Sequence, residues 1–194
     1  MKNRFDVREY INNLTNTIQD IDKKKFSEIA QALLKTWQED RQVFICGNGG
    51  SAANAIHMAN DLFYGIAKES GKGIRVHALP ANQSILTCLA NDESYADIFS
   101  SQLSVLGQPG DILIVLSGSG NSPNVVKVIQ KAKQMGIKAF AILGYSGGKC
   151  LDVADIAIHT AIDDMQIAED CQQIIGHMLM RWLSDHNPHK DQGR

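Results

Sequence analysis

The chain has 194 residues, 19 basic and 21 acidic, for a net charge of −2, and no basic stripe, which argues against binding nucleic acid by bulk electrostatics. That length allows one domain with a sizeable core. The four cysteines (Cys46, Cys88, Cys150, Cys171) are scattered without a CxxC pair, and no apolar run approaches membrane-spanning length, so reduced thiols and no membrane contact are expected.

The polar, charged N-terminus does not read as a signal peptide, and a cytoplasmic protein is expected. Tyr10, Ile11, Leu14, Ile18 and Ile21 recur at helical spacing, as do Phe26, Ile29, Ala30, Leu33, Leu34 and Trp37. They predict two helices with a break at Asp22–Lys25. Five β-rich runs follow, near Val43–Cys46, Ile74–Leu79, Ile112–Leu116, Ala139–Leu143 and Ile156–Thr160. Helical patterns separate most of them, which predicts an α/β fold of βαβ units with a five-stranded parallel sheet behind an N-terminal helical segment. Ser122 suits the N-cap, Pro123 the first turn and Gly136 the stop of one well-marked helix. A final helix from about Met165 to Ser184 is apolar around much of its circumference, as expected of a buried helix, one against another subunit included. The tail from Asp185 is polar and expected to fray.

Two strand ends stand out. Cys46-Gly47-Asn48-Gly49-Gly50-Ser51 and Ser117-Gly118-Ser119-Gly120-Asn121-Ser122 each follow an apolar run and precede a helix. Free backbone N–H groups, hydroxyls and a positive helix end then converge, which makes an anion cradle. No Gly-Lys-Ser/Thr follows, so neither is a P-loop. Two such turns suggest a sugar phosphate or a nucleotide; ordinary turn and cap chemistry is the plain alternative. Asn91-Asp92 reads as the start of a helix.

His57 and Asp61, four apart on the helix leaving the first turn, share a face and can bind a metal, act as an acid/base pair, or simply hydrogen-bond. Glu169 and His177 stand among apolar residues of the last helix, about 12 Å apart along its axis. They meet at one ion only by leaning together; a structural ion pair is the alternative. His77 and His159 lie in strand-like runs and read as structural; His186 and His189 read as solvated.

Together, Gly47–Ser51, His57 with Asp61, Asn91-Asp92, Ser117–Ser122 and Glu169 with His177 resemble the phosphoheptose isomerases, which convert sedoheptulose 7-phosphate and have the sugar isomerase (SIS) fold. The likeness runs from about residue 8 to residue 184. It implies a single flavodoxin-like SIS domain over 1–194, with helices in 1–40, the αβα sandwich and final helix in 41–184 and a flexible tail in 185–194. It also implies a homotetramer with active sites between subunits, and one zinc ion per subunit held by His57, Asp61, Glu169 and His177. The implied substrate contacts are Asn48, Gly49, Gly50, Asp61, Asn91, Asp92, Ser117, Gly118, Ser119, Ser122 and Glu169. The implied reaction yields D-glycero-D-manno-heptose 7-phosphate through a metal-stabilised enediolate. Asp61 is then the base at carbon, and His177 works at oxygen. The family usually has Glu where this chain has Asp61 and Gln where it has Glu169. One SIS branch shares the Ser51-Ala52-Ala53-Asn54-Ala55 start and partners a replication initiator. That branch is expected to lack metal ligands on the last helix, so Glu169 and His177 favour the enzyme over it. A sugar-phosphate sensor is a further alternative.

Overall fold

The structure, a computed structural model, describes residues 5–190. Two N-terminal helices, α1 (Val7–Gln19) and α2 (Lys23–Gln38), precede the sheet. The break falls at Asp20–Asp22, earlier than the sequence suggested, because the Asp22 carboxylate accepts from the Lys24 and Lys25 amides and caps α2 at Lys23. Helix α2 buries Ile29, Ala30, Leu33 and Trp37, whereas α1 buries nothing fully. The Tyr10 hydroxyl donates to Asp170 at 2.6 Å, and that hydrogen bond to a carboxylate pushes the phenol up to about 12.

The strands are β1 (Gln42–Cys46), β2 (Arg75–Ala78), β3 (Ile112–Ser117), β4 (Lys138–Leu143) and β5 (Ile156–His159), all paired in parallel in the order β2-β1-β3-β4-β5. Between them run α3 (Gly50–Phe63), α4 (Gln83–Asp92), α5 (Ser100–Leu106), α6 (Pro123–Gln134) and α7 (Gly148–Val153), and α8 (Met165–Asp185) closes the chain.

The period-two alternation of the central strands feeds two cores. Val43, Ile45, Ile112, Ile114, Leu116, Phe140 and Ile142 face one side, with α2, α3 and α8. Phe44, Cys46, Leu113, Val115, Ala139, Ala141 and Leu143 face the other, with α5, α6 and Cys150 of α7. A sheet buried on both faces explains why β3 is apolar at nearly every position.

Helix α8 presents a buried stripe rather than a fully buried surface: Ile167, Cys171, Ile175, Leu179 and Leu183 are covered, while Ile174, Met178 and Trp182 are only half-buried. The histidines beyond it are packed. His186 stacks on Trp182 with centroids 3.9 Å apart, and His189 meets Trp37 edge-on. Residues 191–194 of the expected tail lie outside the described residues. His77 stacks on Phe44, and His159 bonds the Tyr145 carbonyl at 2.8 Å, both structural roles.

Candidate active site

From β1 the chain passes to β2 on one side and later returns to β3 on the other, so the carboxyl ends of β1 and β3 flank the point where strand order reverses, where doubly wound sheets bind ligands. A cavity of about 280 Å³ opens there, lined by Asn48–Ser51, Leu116–Ser119, Ser122, Met165 and Glu169. Gly49 has φ +56°, a left-handed conformation that suits glycine and turns the strand into α3. In the second turn Ser117 Oγ accepts from the Gly120 amide at 3.0 Å, and Gly120, at φ +63°, passes so close to the Gly147 carbonyl that no side chain fits. Ser122 occupies the N-cap position of α6 but its side chain makes no cap bond, so the hydroxyl is not spent on the helix. Tyr145 at the end of β4 has φ +44°, a strained conformation beside Gly118.

The Asn48 side chain is already spent. Its amide exchanges two hydrogen bonds with the buried Asn124, at 2.9 and 2.8 Å, and Tyr95 Oη donates to it as well. Asn48 therefore offers the cavity its backbone, and the amide pair ties the two turns together.

Helices α3 and α8 run parallel along a polar seam. Its first pair is Gly50 with Glu169, whose carboxylate occupies the space a Gly50 side chain would need. Next, Asn54 Nδ2 donates to the Glu169 carbonyl at 2.9 Å and to Gln172 Oε1 at 3.1 Å. Gly176 then admits Met58 at close range. Two turns beyond Gly50, His57 Nε2 lies 3.4 Å from Asp61 Oδ2 and 3.1 Å from His177 Nε2, and His177 Nε2 lies 3.6 Å from the same oxygen. Asp61 Oδ2 is buried with no hydrogen-bond partner among the described residues. A carboxylate oxygen so placed is costly to leave unpaired. A four-coordinate ion with ligands at about 2.0–2.1 Å sets them roughly 3.3 Å apart. These three side chains therefore fit a divalent cation. The imidazoles are 50% and 47% exposed and Asp61 13%, so the group is open on its histidine side.

The structure brings three of the four expected metal residues together and places Glu169 in the cradle instead. Asn91 and Asp92 do not begin a helix. They end α4, whose cap is Asn82, accepting from the Ile85 amide at 3.1 Å, and both are exposed outside the cavity lining. Hydrogen bonds from Asn91 and then Cys88 hold the Asp92 carboxyl below its ordinary range. Asn124, Gln172 and Tyr145 carry no motif. Their one signal is a polar residue set in an otherwise apolar stripe, as with Gln172 on α8.

A doubly wound sheet with two glycine- and serine-rich turns lining one cavity at its switch point is the architecture of phosphate-binding α/β proteins, and residues 8–144 match the SIS domain. The phosphoheptose isomerase of Helicobacter pylori (strain P12) is 37% identical over 159 residues, 82% of each chain. That of Chlorobaculum parvum is 36% identical over 175 residues, 88% of this chain and 83% of the relative. The solved phosphoheptose isomerase of Neisseria gonorrhoeae superposes with a TM-score of 0.84 at 25% identity, covering 92% of this chain and 96% of that one. The chain belongs to the phosphoheptose isomerase family of SIS-domain proteins and is a sugar-phosphate isomerase.

Proposed function

We propose that this isomerase interconverts sedoheptulose 7-phosphate and D-glycero-D-manno-heptose 7-phosphate, with one zinc ion at His57, Asp61 and His177. The observation that carries the metal reading is the orphaned Asp61 Oδ2 facing two imidazole nitrogens. A bound divalent cation supplies Lewis-acid stabilisation of negative charge developing on substrate oxygens.

The chain's own residues do the rest. The glycine and serine turns grip the phosphate with Gly49, Gly50, Ser117, Gly118, Ser119 and Ser122, with Asn48, Asn91, Asp92 and Glu169 as further substrate contacts. Gly50 and His57 are seven residues apart on one face of α3, about 10 Å by helical rise. A phosphorylated seven-carbon chain at roughly 1.3 Å per bond spans a similar length, so a phosphate in the cradle lets C1 and C2 reach Asp61 and His177. Asp61 takes the proton from C1 and returns one at C2, through Oδ1 because Oδ2 faces the histidines. His177 moves the proton between O1 and O2. Phosphate binding far from the reacting carbons orients the sugar.

We read the chain as one SIS domain in a cytoplasmic homotetramer. The four free cysteines support a reducing compartment. Exposed Val7 and Ile11 on α1 and Ile56 and Phe63 on α3 support burial between subunits. The test is to incubate the zinc-loaded protein with sedoheptulose 7-phosphate in D₂O and follow deuterium entering C1. Exchange that Asp61→Ala abolishes supports the reading; no exchange, or normal exchange in metal-replete Asp61→Ala, overturns it.

A further inference from the structure

A turn that grips an anion must show it N–H and O–H groups and keep its carbonyl oxygens elsewhere. In the second turn the carbonyls from Ser117 to Gly120 are all engaged from behind. The Gly144 N–H, just after β4, is shared between the Ser117 and Gly118 carbonyls at 3.2 and 3.1 Å, and the Cys150 N–H of α7 donates to the Gly120 carbonyl at 2.9 Å. The Ser119 carbonyl has no backbone donor; the Asn121 side chain serves it, Nδ2 donating at 3.1 Å. Asn121 Oδ1 in turn accepts from the Lys149 N–H at 3.1 Å, so one side-chain amide staples the turn to α7. Gly148 leaves room for that staple, since a side chain there would collide with Asn121 Nδ2 and the Ser119 carbonyl. On the cavity side the pattern is reversed. The N–H groups of Gly118 and Ser119, two residues of the lining, meet no acceptor among the described residues. Ser117 Oγ accepts from the Gly120 N–H at 3.0 Å and Ser119 Oγ from the Asn121 N–H at 3.3 Å, which leaves each hydroxyl its proton to donate. Asn121 itself is exposed and lies outside the cavity lining.

We propose that Asn121 is a positioning residue for the substrate phosphate: it holds the Ser119 carbonyl away from the cavity and so keeps the second turn a surface of donors alone. The proposal rests on the cradle reading above. The link runs through one peptide plane. The Ser119 carbonyl and the Gly120 N–H belong to the same rigid unit, so holding the oxygen also aims the N–H at Ser117 Oγ. Without the staple that plane is free to rotate. A carbonyl dipole then faces the phosphate, and the Ser117 hydroxyl loses the N–H that orients it.

The experiment is calorimetric titration of the full-length protein with inorganic phosphate, beside steady-state kinetics with sedoheptulose 7-phosphate. Asn121→Ala is expected to keep its circular dichroism, because the residue is exposed, while losing about 10-fold in phosphate affinity. Its KM should rise by a similar factor, with kcat falling less. Asn121→Asp keeps the acceptor for Lys149 but sets an oxygen against the Ser119 carbonyl, so it should bind phosphate no better than Asn121→Ala even though the link to α7 survives. A merely structural Asn121 would lower Tm and leave phosphate affinity unchanged below the transition; that result overturns the assignment, as does wild-type affinity in Asn121→Asp. A wild-type chain that binds phosphate but does not isomerise sedoheptulose 7-phosphate overturns the proposed substrate, and the phosphate titrations still decide the role of Asn121. A wild-type chain that binds no phosphate overturns the cradle and this role together.

Discussion

His57 Nε2 and His177 Nε2 face each other at 3.1 Å across α3 and α8, although 120 positions separate them in the chain. Their rings cross at 67° rather than stacking, so the nitrogens converge while the ring faces do not. The buried Asp61 oxygen lies behind both. Filling this point with a cation ties α3 to α8. At zinc 100-fold above its dissociation constant, the folded state gains about 2.7 kcal/mol. The expected result is a rise of several degrees in Tm for wild type and none for His177→Ala. An equal rise in both proteins would separate zinc binding from His177.

Three glycines around the cradle separate packing from backbone strain. Gly50 has an ordinary φ, and the three nearest atoms in the way of a side chain belong to the flexible end of Glu169. Gly50→Ala should leave Tm nearly unchanged, since Gly50 is the first residue of α3 and needs no left-handed φ, yet raise KM by displacing Glu169. Gly49→Ala meets nothing but needs φ +56°, and should cost about 1–2 kcal/mol. Gly120→Ala adds a collision with the Gly147 backbone and should be the least stable of the three. Denaturant midpoints ranking Gly50→Ala lowest would contradict this account.

The sheet was legible because each strand is an apolar run between turn residues, and burial on both faces leaves no other place for such runs. The cradles were legible for the same local reason: Gly and Ser at a strand end followed by helix. His57 with Asp61 was readable from i, i+4 spacing. What joins α3 to α8 was not. Whether Glu169 and His177 lean toward one point depends on how two helices distant in sequence lie against each other, and spacing along α8 does not give that; Glu169 sits against Gly50 of α3. Asn91-Asp92 misled because Asn and Asp suit helix starts, while Asn82 nine residues earlier had already taken the cap.

The Asn48–Asn124 amide pair bridges the two turns, with Asn124 only 1% exposed. Asn124→Ala removes two hydrogen bonds and strands the Asn48 amide. A loss of about 1–3 kcal/mol is expected in chemical denaturation. Asn124→Asp keeps the acceptor for Asn48 Nδ2 but sets a second oxygen against Asn48 Oδ1, so it should not rescue stability at neutral pH. Both variants should bind sugar phosphate more weakly, since the first turn loses its brace. Unchanged unfolding midpoints would show that the pair is dispensable.

The cysteines set a pH signature. Burial pushes the Cys150 and Cys171 thiols up to about 11 and Cys46 higher still. A thiol pKa raised above its unfolded value, about 8.5, contributes stability that is full below that value and is lost as pH rises through the folded value. The protein should therefore weaken between about pH 8.5 and 11, and these three thiols should react with Ellman's reagent only on unfolding. Cys88 is exposed, but its hydrogen bond to Asp92 at 3.4 Å, with that carboxylate's charge, holds its thiol above the ordinary range. One thiol per chain should react quickly in the native protein at pH 7.5. Asp92→Asn removes the carboxylate, favours the thiolate and should speed that single phase several-fold. Four equally fast thiols would contradict the burial argument, and an unaltered rate in Asp92→Asn would show that the carboxylate does not restrain Cys88.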